Sequence, residues 1–198
     1  DSRKIYDTKD LKQFVVDSII TSPLIRSSYT LRKYILSNHF DCVIVGSDQV
    51  WREEYSPCII DYFGGFLKKN DKIPMFSYAA SLGLPYLQIS ENKIKKCAEL
   101  LSCFTRVSVR EQSAVDIIRR NMGRVATVVL DPTLLLDTEK YLSLIKKEDV
   151  MSCGGLCNYI LDSSEDKENI LDEISNRLGL SRLDLRLRPV DDRGNAKK

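Results

Sequence analysis

One pattern repeats between residues 40 and 133: a short apolar run, a break into small and polar residues, then a stretch with helical spacing. It is plainest in FDCVIVGSDQVW, residues 40–51, where the run from Cys42 to Val45 stops at Gly46 and passes into Ser47, Asp48 and Gln49. A run so short, β-branched and unbroken suits a strand buried on both faces, as in a parallel sheet. The glycine lets the backbone turn sharply where the strand ends. PMFSYAA, residues 74–80, reads as the next strand and ends in Ser81, Leu82 and Gly83. RVSVR, residues 106–110, reads as the third, and Glu111 opens a helix behind it. Residues 125–130 form a fourth, closed by Asp131, Pro132 and Thr133. Between them, Ile94, Cys97, Ala98 and Leu101 share one helical face, with Ser90 as cap. Ala114, Ile117, Ile118 and Met122 share another, stopped by Gly123. Strand and helix alternating with short links predict an α/β fold, a parallel Rossmann-like sheet with helices on both faces.

Right-handed crossovers put the carboxyl ends of all four strands on one edge, where open α/β sheets keep their ligands. Ser47, Asp48, Gln49, Ser81, Gly83, Arg110, Glu111, Asp131 and Thr133 are expected to collect there. Each has a plain structural alternative. Asp48 can cap the following turn, and Glu111 can be a favourable first-turn charge. Arg110 can pair with Glu111 or Asp131, and Asp131 can brace the turn before Pro132. The convergence of the set makes the case for a site, since no single member does.

The 198 residues, 43% of them hydrophobic, suffice for one sizeable core or for one domain and part of another. Thirty Lys and Arg stand against 28 Asp and Glu, interspersed, for a net charge of +2. That balance argues against nucleic acid and anionic membrane as partners. No apolar run approaches the ~18 residues of a membrane span, and the first ten residues are charged and polar, so a cytoplasmic protein is expected. The six cysteines are expected to be free thiols, mostly buried, in a reducing compartment. A CxxxC at Cys153 and Cys157 with a lone His39 elsewhere is a weak zinc signal, and no metal is expected. Leu11, Phe14, Val15 and Ile19 predict an N-terminal helix ended before Pro23, and Leu31, Tyr34 and Ile35 a second. A helix with a narrow stripe of Tyr141, Leu144 and Ile145 follows the fourth strand. The predicted organisation is a Rossmann-like domain over 1–147, a linker over 148–155, a partial second domain over 156–190 and a tail over 191–198. The partial domain reads as one βαβ unit, with strands at 156–161 and 183–187. Its helix carries Ile170, Ile174 and Leu178 on one face, capped at Ser163 and Ser164.

FDCVIVGSDQVW, FSYAASLG at 76–83, SVREQSA at 108–114 and VLDPTLLL at 129–136, in this order and spacing, resemble the polysaccharide pyruvyl transferase family over roughly residues 10–140. The resemblance implies the first half of a glycosyltransferase-B-type fold plus the start of a second domain. It implies transfer of a pyruvyl group from phosphoenolpyruvate, a donor substrate rather than a cofactor, to a saccharide or lipid-linked saccharide as a cyclic ketal. On that reading Arg110 grips an anionic group of the donor, helped by the helix N-terminus beside it. Asp48 and Glu111 are the catalytic candidates, orienting or deprotonating a sugar hydroxyl. Ser47, Gln49, Ser81, Gly83, Arg110 and Asp131 are the substrate-binding candidates. Trp51 either stacks on a sugar or packs in the core. Two features depart from the family: nothing before Leu11 supplies the usual first strand and glycine turn, and no Arg-His segment follows residue 147. His39 precedes its strand and is expected at the opposite edge, away from the chemistry. The chain is therefore expected to carry only part of the catalytic machinery. Two other readings stand beside this one: a non-catalytic saccharide- or protein-binding module of the same fold, and a nucleotide-sugar glycosyltransferase. The second lacks a glycine-rich phosphate loop of the usual spacing.

Overall fold

The computed structural model describes residues 5–6, 9–145, 155–160, 162–184 and 189–190. In chain order the elements are β1 (Ile5–Tyr6), α1 (Lys9–Ser18), α2 (Ser28–Ser37), β2 (Val43–Val45), α3 (Ile59–Tyr62), β3 (Met75–Ala80), α4 (Glu91–Leu101), β4 (Arg106–Val109), α5 (Gln112–Met122), β5 (Thr127–Val128), α6 (Thr138–Leu144), β6 (Leu156–Asn158), α7 (Glu165–Leu178), β7 (Arg182–Asp184) and β8 (Pro189–Val190). The chain divides into two compact units, one over Pro23–Leu144 and one joining residues 1–22 to residues 145–198. The first 22 residues thus group with the C-terminal part, where the sequence pattern alone suggests a single stretch over 1–147.

In the larger unit β2, β3, β4 and β5 form a parallel sheet in that order, with helices around it. This is the expected α/β fold. One cluster of buried side chains holds it together. Val45, Met75, Val107 and Val109 come from the strands, Cys97 and Leu101 from α4, and Ala114, Ile118 and Met122 from α5. The α5 stripe recurs every three to four residues, so one helical face meets the sheet. Gly123 ends that helix at φ +64, a left-handed position open to glycine at little cost. Trp51 is wholly buried, stacks on Phe63 with ring centroids 5.0 Å apart, and donates its indole N–H to the Tyr62 carbonyl at 3.0 Å. It is a core residue, and the sugar-stacking alternative falls away.

Three expectations need correction. Ile44 is 62% exposed, so β2 is not buried on both faces. Among the described residues β2 lies at the end of the strand order with a single neighbour, and Ile44 points opposite to Val45. The thiols are not mostly buried: Cys58, Cys103 and Cys157 are exposed, Cys42 is half-buried, and only Cys97 of those described is buried. Cys153 lies outside the described residues, as does the predicted tail. In α7 the predicted stripe of Ile170, Ile174 and Leu178 stays exposed, and Leu171 is the buried residue. The β6–β7 sheet beside it has two strands of three residues, which offer too little surface to cover a whole stripe. That unit does contain the expected βαβ arrangement, β6 and β7 being parallel. Ser164 caps α7 by accepting from the Lys167 N–H. A further strand, β1, lies in the polar first ten residues, where the pattern carries no strand signal, and pairs antiparallel with β8.

The β3–β4 ladder contains an irregularity with consequences for the site. Ser77 faces Val107 but Ala80 faces Val109, so β3 carries one extra residue, a bulge at Ala79 with φ +49. The bulge resets the alternation. Met75 and Ser77 face inward before it, whereas Ala80 and Leu82 join the core cluster after it. A bulge leaves a main-chain donor without a ladder partner, and Ser108 supplies one: the Ala79 N–H donates to Ser108 Oγ at 3.3 Å. The two strand serines also bond reciprocally, Ser77 Oγ–H to the Ser108 carbonyl at 2.9 Å and Ser108 Oγ–H to the Ser77 carbonyl at 2.8 Å. Ser108→Ala is therefore expected to lower unfolding free energy by about 1–3 kcal/mol, the cost of orphaned buried groups. Urea denaturation measures it, and an alanine variant as stable as the parent would overturn this account of the bulge.

Candidate functional site

The four strands run in one direction, and the residues that close them lie along one rim. The main-chain ladder continues past the strands and locks the closing loops to one another. The Ser81 N–H donates to the Asp48 carbonyl at 2.8 Å, and the Trp51 N–H to the Ser81 carbonyl at 3.2 Å. The Arg110 N–H donates to the Ala80 carbonyl at 3.2 Å, and the Val129 N–H to the Val109 carbonyl at 2.9 Å. Gly46 opens the β2 loop at φ +149, and a Cβ there would stand 2.0 Å from the Tyr78 carbonyl oxygen. Both the backbone angle and the approach of β3 demand glycine.

Charge is concentrated at Arg110. Its guanidinium donates to Asp131 Oδ2 at 3.0 Å and lies 3.5 Å from Asp48 Oδ1. Burial works against its charge, but the hydrogen bond to Asp131 and the field of Glu111, Asp48 and Asp131 outweigh it and raise its pKa above the ordinary value. Asp131 is held below its ordinary pKa by the Thr133 N–H and hydroxyl and then by Arg110. Its role as turn brace and its pairing with Arg110 are both present. Asp48 does not cap a helix. It sits at φ +58, a left-handed position that aspartate tolerates, and its side chain, 82% exposed, reaches toward Arg110.

Ser81 and Glu111 lie deeper. Ser81 is wholly buried; its hydroxyl donates to Glu111 Oε1 and accepts from the Gly83 N–H at 2.9 Å. Glu111 Oε2 is buried as well and has no hydrogen-bond partner. The Glu111 carboxylate is thus turned toward the interior, and Ser81 and Glu111 back the rim instead of lining it. Gln49 lies against Gly83, where φ is +72 and a Cβ would meet Gln49 Oε1 at 2.2 Å. Gln49 Oε1 also accepts from Arg52 at 3.1 Å. Ser47 and Thr133 sit at the rim, half-buried and exposed respectively. His39 stands ahead of the amino end of β2, at the other end of that strand from Ser47.

Sequence reasoning missed the residues that anchor the β2 loop. Arg52 donates to Gln88 Oε1 at 2.9 Å and lies over the Tyr55 ring, 4.1 Å from its centroid. Glu53 accepts from the Ser90 N–H at 2.6 Å and its hydroxyl at 2.7 Å, and pairs with Lys93. Ser90 is therefore at the cap position of α4 but is engaged by Glu53, with no side-chain cap bond of its own. A charged REE run gave no signal of this, because its partners lie 36 to 40 residues away.

These features define the class: an α/β protein whose polar and charged groups gather past the carboxyl ends of its parallel strands. The chain belongs to the polysaccharide pyruvyl transferase family, whose model matches residues 3–197, well beyond the span of the four motifs. The curated proteins and the solved structures contain no match to it. The family is one of transferases. Among the described residues no helix is long and apolar enough to cross a membrane.

Glu53 offers a check on how the rim is anchored. Hydrogen bonds from Lys93, then from the Ser90 N–H and hydroxyl, lower its pKa from 4.5 to about 2. A depressed acid stabilises the fold above its unfolded pKa and loses that contribution as pH falls through the folded one. Melting temperatures of the parent and of Glu53→Gln should differ most above pH 4.5 and converge toward a pH of about 2. A gap that stays constant over that window would show the Glu53 carboxylate to be unpaired.

Proposed function

We propose that the protein takes part in forming a pyruvyl ketal on a saccharide, with phosphoenolpyruvate as donor and a saccharide or lipid-linked saccharide as acceptor. Membership of the family supports this reading, and so does the gathering of Asp48, Arg110 and Asp131 at one rim. The chemistry balances as follows. Two acceptor hydroxyl oxygens bond in turn to the central carbon of the enol phosphate. The methylene carbon gains a proton to become a methyl group, and the carbon–oxygen bond to phosphate breaks. One hydroxyl proton is matched by the proton on the new methyl group and the other leaves with phosphate.

Asp48 is the group placed to accept a hydroxyl proton, being the exposed carboxylate of the rim. Arg110 is the cation for the donor. Its contact with Asp48 is the longer of its two, so a phosphate or carboxylate of the donor can take that side of the guanidinium. The same exchange releases Asp48 toward the acceptor. Asp131, tied down by Thr133, keeps Arg110 in place meanwhile. Asp48, Glu111 and Asp131 outnumber the one guanidinium, so further cations are needed for the donor. The resemblance assigns them to the family's second domain.

The test is incubation of the protein with phosphoenolpyruvate and a galactose- or mannose-type acceptor, with phosphate release as readout. Release should fall about hundredfold or more in Arg110→Ala with its fold intact, in keeping with loss of a charged donor at a reacting anion. Saccharide binding without donor binding or phosphate release would instead favour the non-catalytic module. The inward turn of Glu111 is the observation on that side.

A further inference from the structure

Arg110 and Glu111 are neighbours in sequence and opposite in charge, yet they are not partnered. The ion pairs of Arg110 are with Asp131 and Asp48, while Glu111 is held by the hydroxyl of Ser81. Ser81 is placed to do this by the bulge at Ala79. Ala80 and Leu82 join the core cluster after the bulge, whereas Ser81 turns its hydroxyl to Glu111. Four hydrogen bonds then fix Ser81. Its N–H goes to Asp48, its carbonyl accepts from Trp51, its hydroxyl donates to Glu111 and accepts from Gly83. One wholly buried residue so connects the loops that follow β2, β3 and β4.

We propose that Ser81 is a positioning residue: its hydroxyl holds the Glu111 carboxylate out of ion-pair distance of Arg110, so that the guanidinium pairs with Asp48 and Asp131. The proposal rests on reading this rim as the place where donor and acceptor meet. Ser81 touches neither substrate, being buried; it acts through Glu111. The unpartnered Glu111 Oε2 shows how little else restrains that carboxylate. Without the Ser81 hydroxyl Oε1 loses its partner too, both carboxylate oxygens are then unpaired, and a charge in that state moves to the nearest cation. That cation is Arg110. A third carboxylate there loosens Asp48, which is exposed and has Arg110 as its ion-pair partner. It also occupies the edge of the guanidinium that an incoming anion needs.

A double-mutant cycle with Ser81→Ala and Glu111→Gln tests this, read on the guanidinium proton–nitrogen NMR signals of Arg110 in the full chain. Arg110→Lys assigns those signals. Ser81→Ala is expected to shift them in the parent background and leave them in place in the Glu111→Gln background, where no charge is set free. Ser81→Thr, which keeps the hydroxyl, should restore the parent signal if its methyl group is accommodated. A Ser81 that is merely structural would lower the melting temperature and leave the Arg110 signals where they are. That result, or equal shifts in both backgrounds, overturns the proposal. Where the parent releases phosphate, Ser81→Ala should lower kcat about tenfold or more with KM little changed, as expected for misplacement of a reacting group. A parent that releases none counts against the transferase reading, and the NMR cycle still decides the role of Ser81.

Discussion

The rim depends on a ladder of parallel main-chain hydrogen bonds that does not stop where the strands stop. Asp48, Trp51, Ser81 and Arg110 each use a backbone group to bind the neighbouring loop. A backbone hydrogen bond contributes only about 1 kcal/mol net, but direction matters here more than energy. Parallel pairing places the loops on one edge, and the extended ladder fixes their spacing to that of adjacent strands, about 4.8 Å. Polar side chains on such loops meet one another without long reaches. Arg110 can therefore span from Asp131, on the next loop, to Asp48, on the loop two strands away across that of β3.

The sequence showed this edge because its signals are local. A β-branched run that ends in glycine, serine and aspartate declares both a strand and its closing loop. Where the determinants were non-local, the pattern was silent or misleading. Ile44 looked like part of a doubly buried strand, yet burial depends on the strand's neighbours, and β2 has one among the described residues. Ser81 looked like a rim residue because it follows a strand. Its true place is set by an extra residue at Ala79 that no alternation of hydrophobic and polar residues reveals, Met75 to Ala80 being almost uniformly apolar. Ser108 stands in RVSVR with nothing in the sequence to single it out, and its function of accepting the bulge N–H depends on β3. The pairing of β1 with β8 is of the same kind, since β1 is two residues long and finds its partner near residue 190.

Charge at the rim sorts the candidate residues into two layers. The inner layer is the buried Ser81 and the half-buried Glu111, whose carboxylate is bonded inward. The outer layer, Asp48, Arg110 and Asp131, is reachable. Arg110 is only a third exposed, so its pairs are stronger than those of a free surface arginine and weaker than those of a buried one. That intermediate state suits a group that must exchange partners. A fully buried pair would hold its carboxylates too firmly to admit a ligand, and a fully solvated arginine would give the ligand no fixed direction.

Which partner yields first follows from geometry. Asp131 has its second oxygen bonded to the Thr133 N–H and hydroxyl, so leaving Arg110 would require moving a turn that begins at Pro132. Asp48 sits 3.5 Å from the guanidinium, and its side chain is largely in water. Water can replace most of what Asp48 loses, and little of what Asp131 would lose. An anion arriving at Arg110 therefore displaces Asp48 and leaves Asp131 in place. The displaced carboxylate is then free of its counter-charge and open to water. If the anion is the proposed donor, its binding and the release of Asp48 toward the acceptor are one event at one arginine.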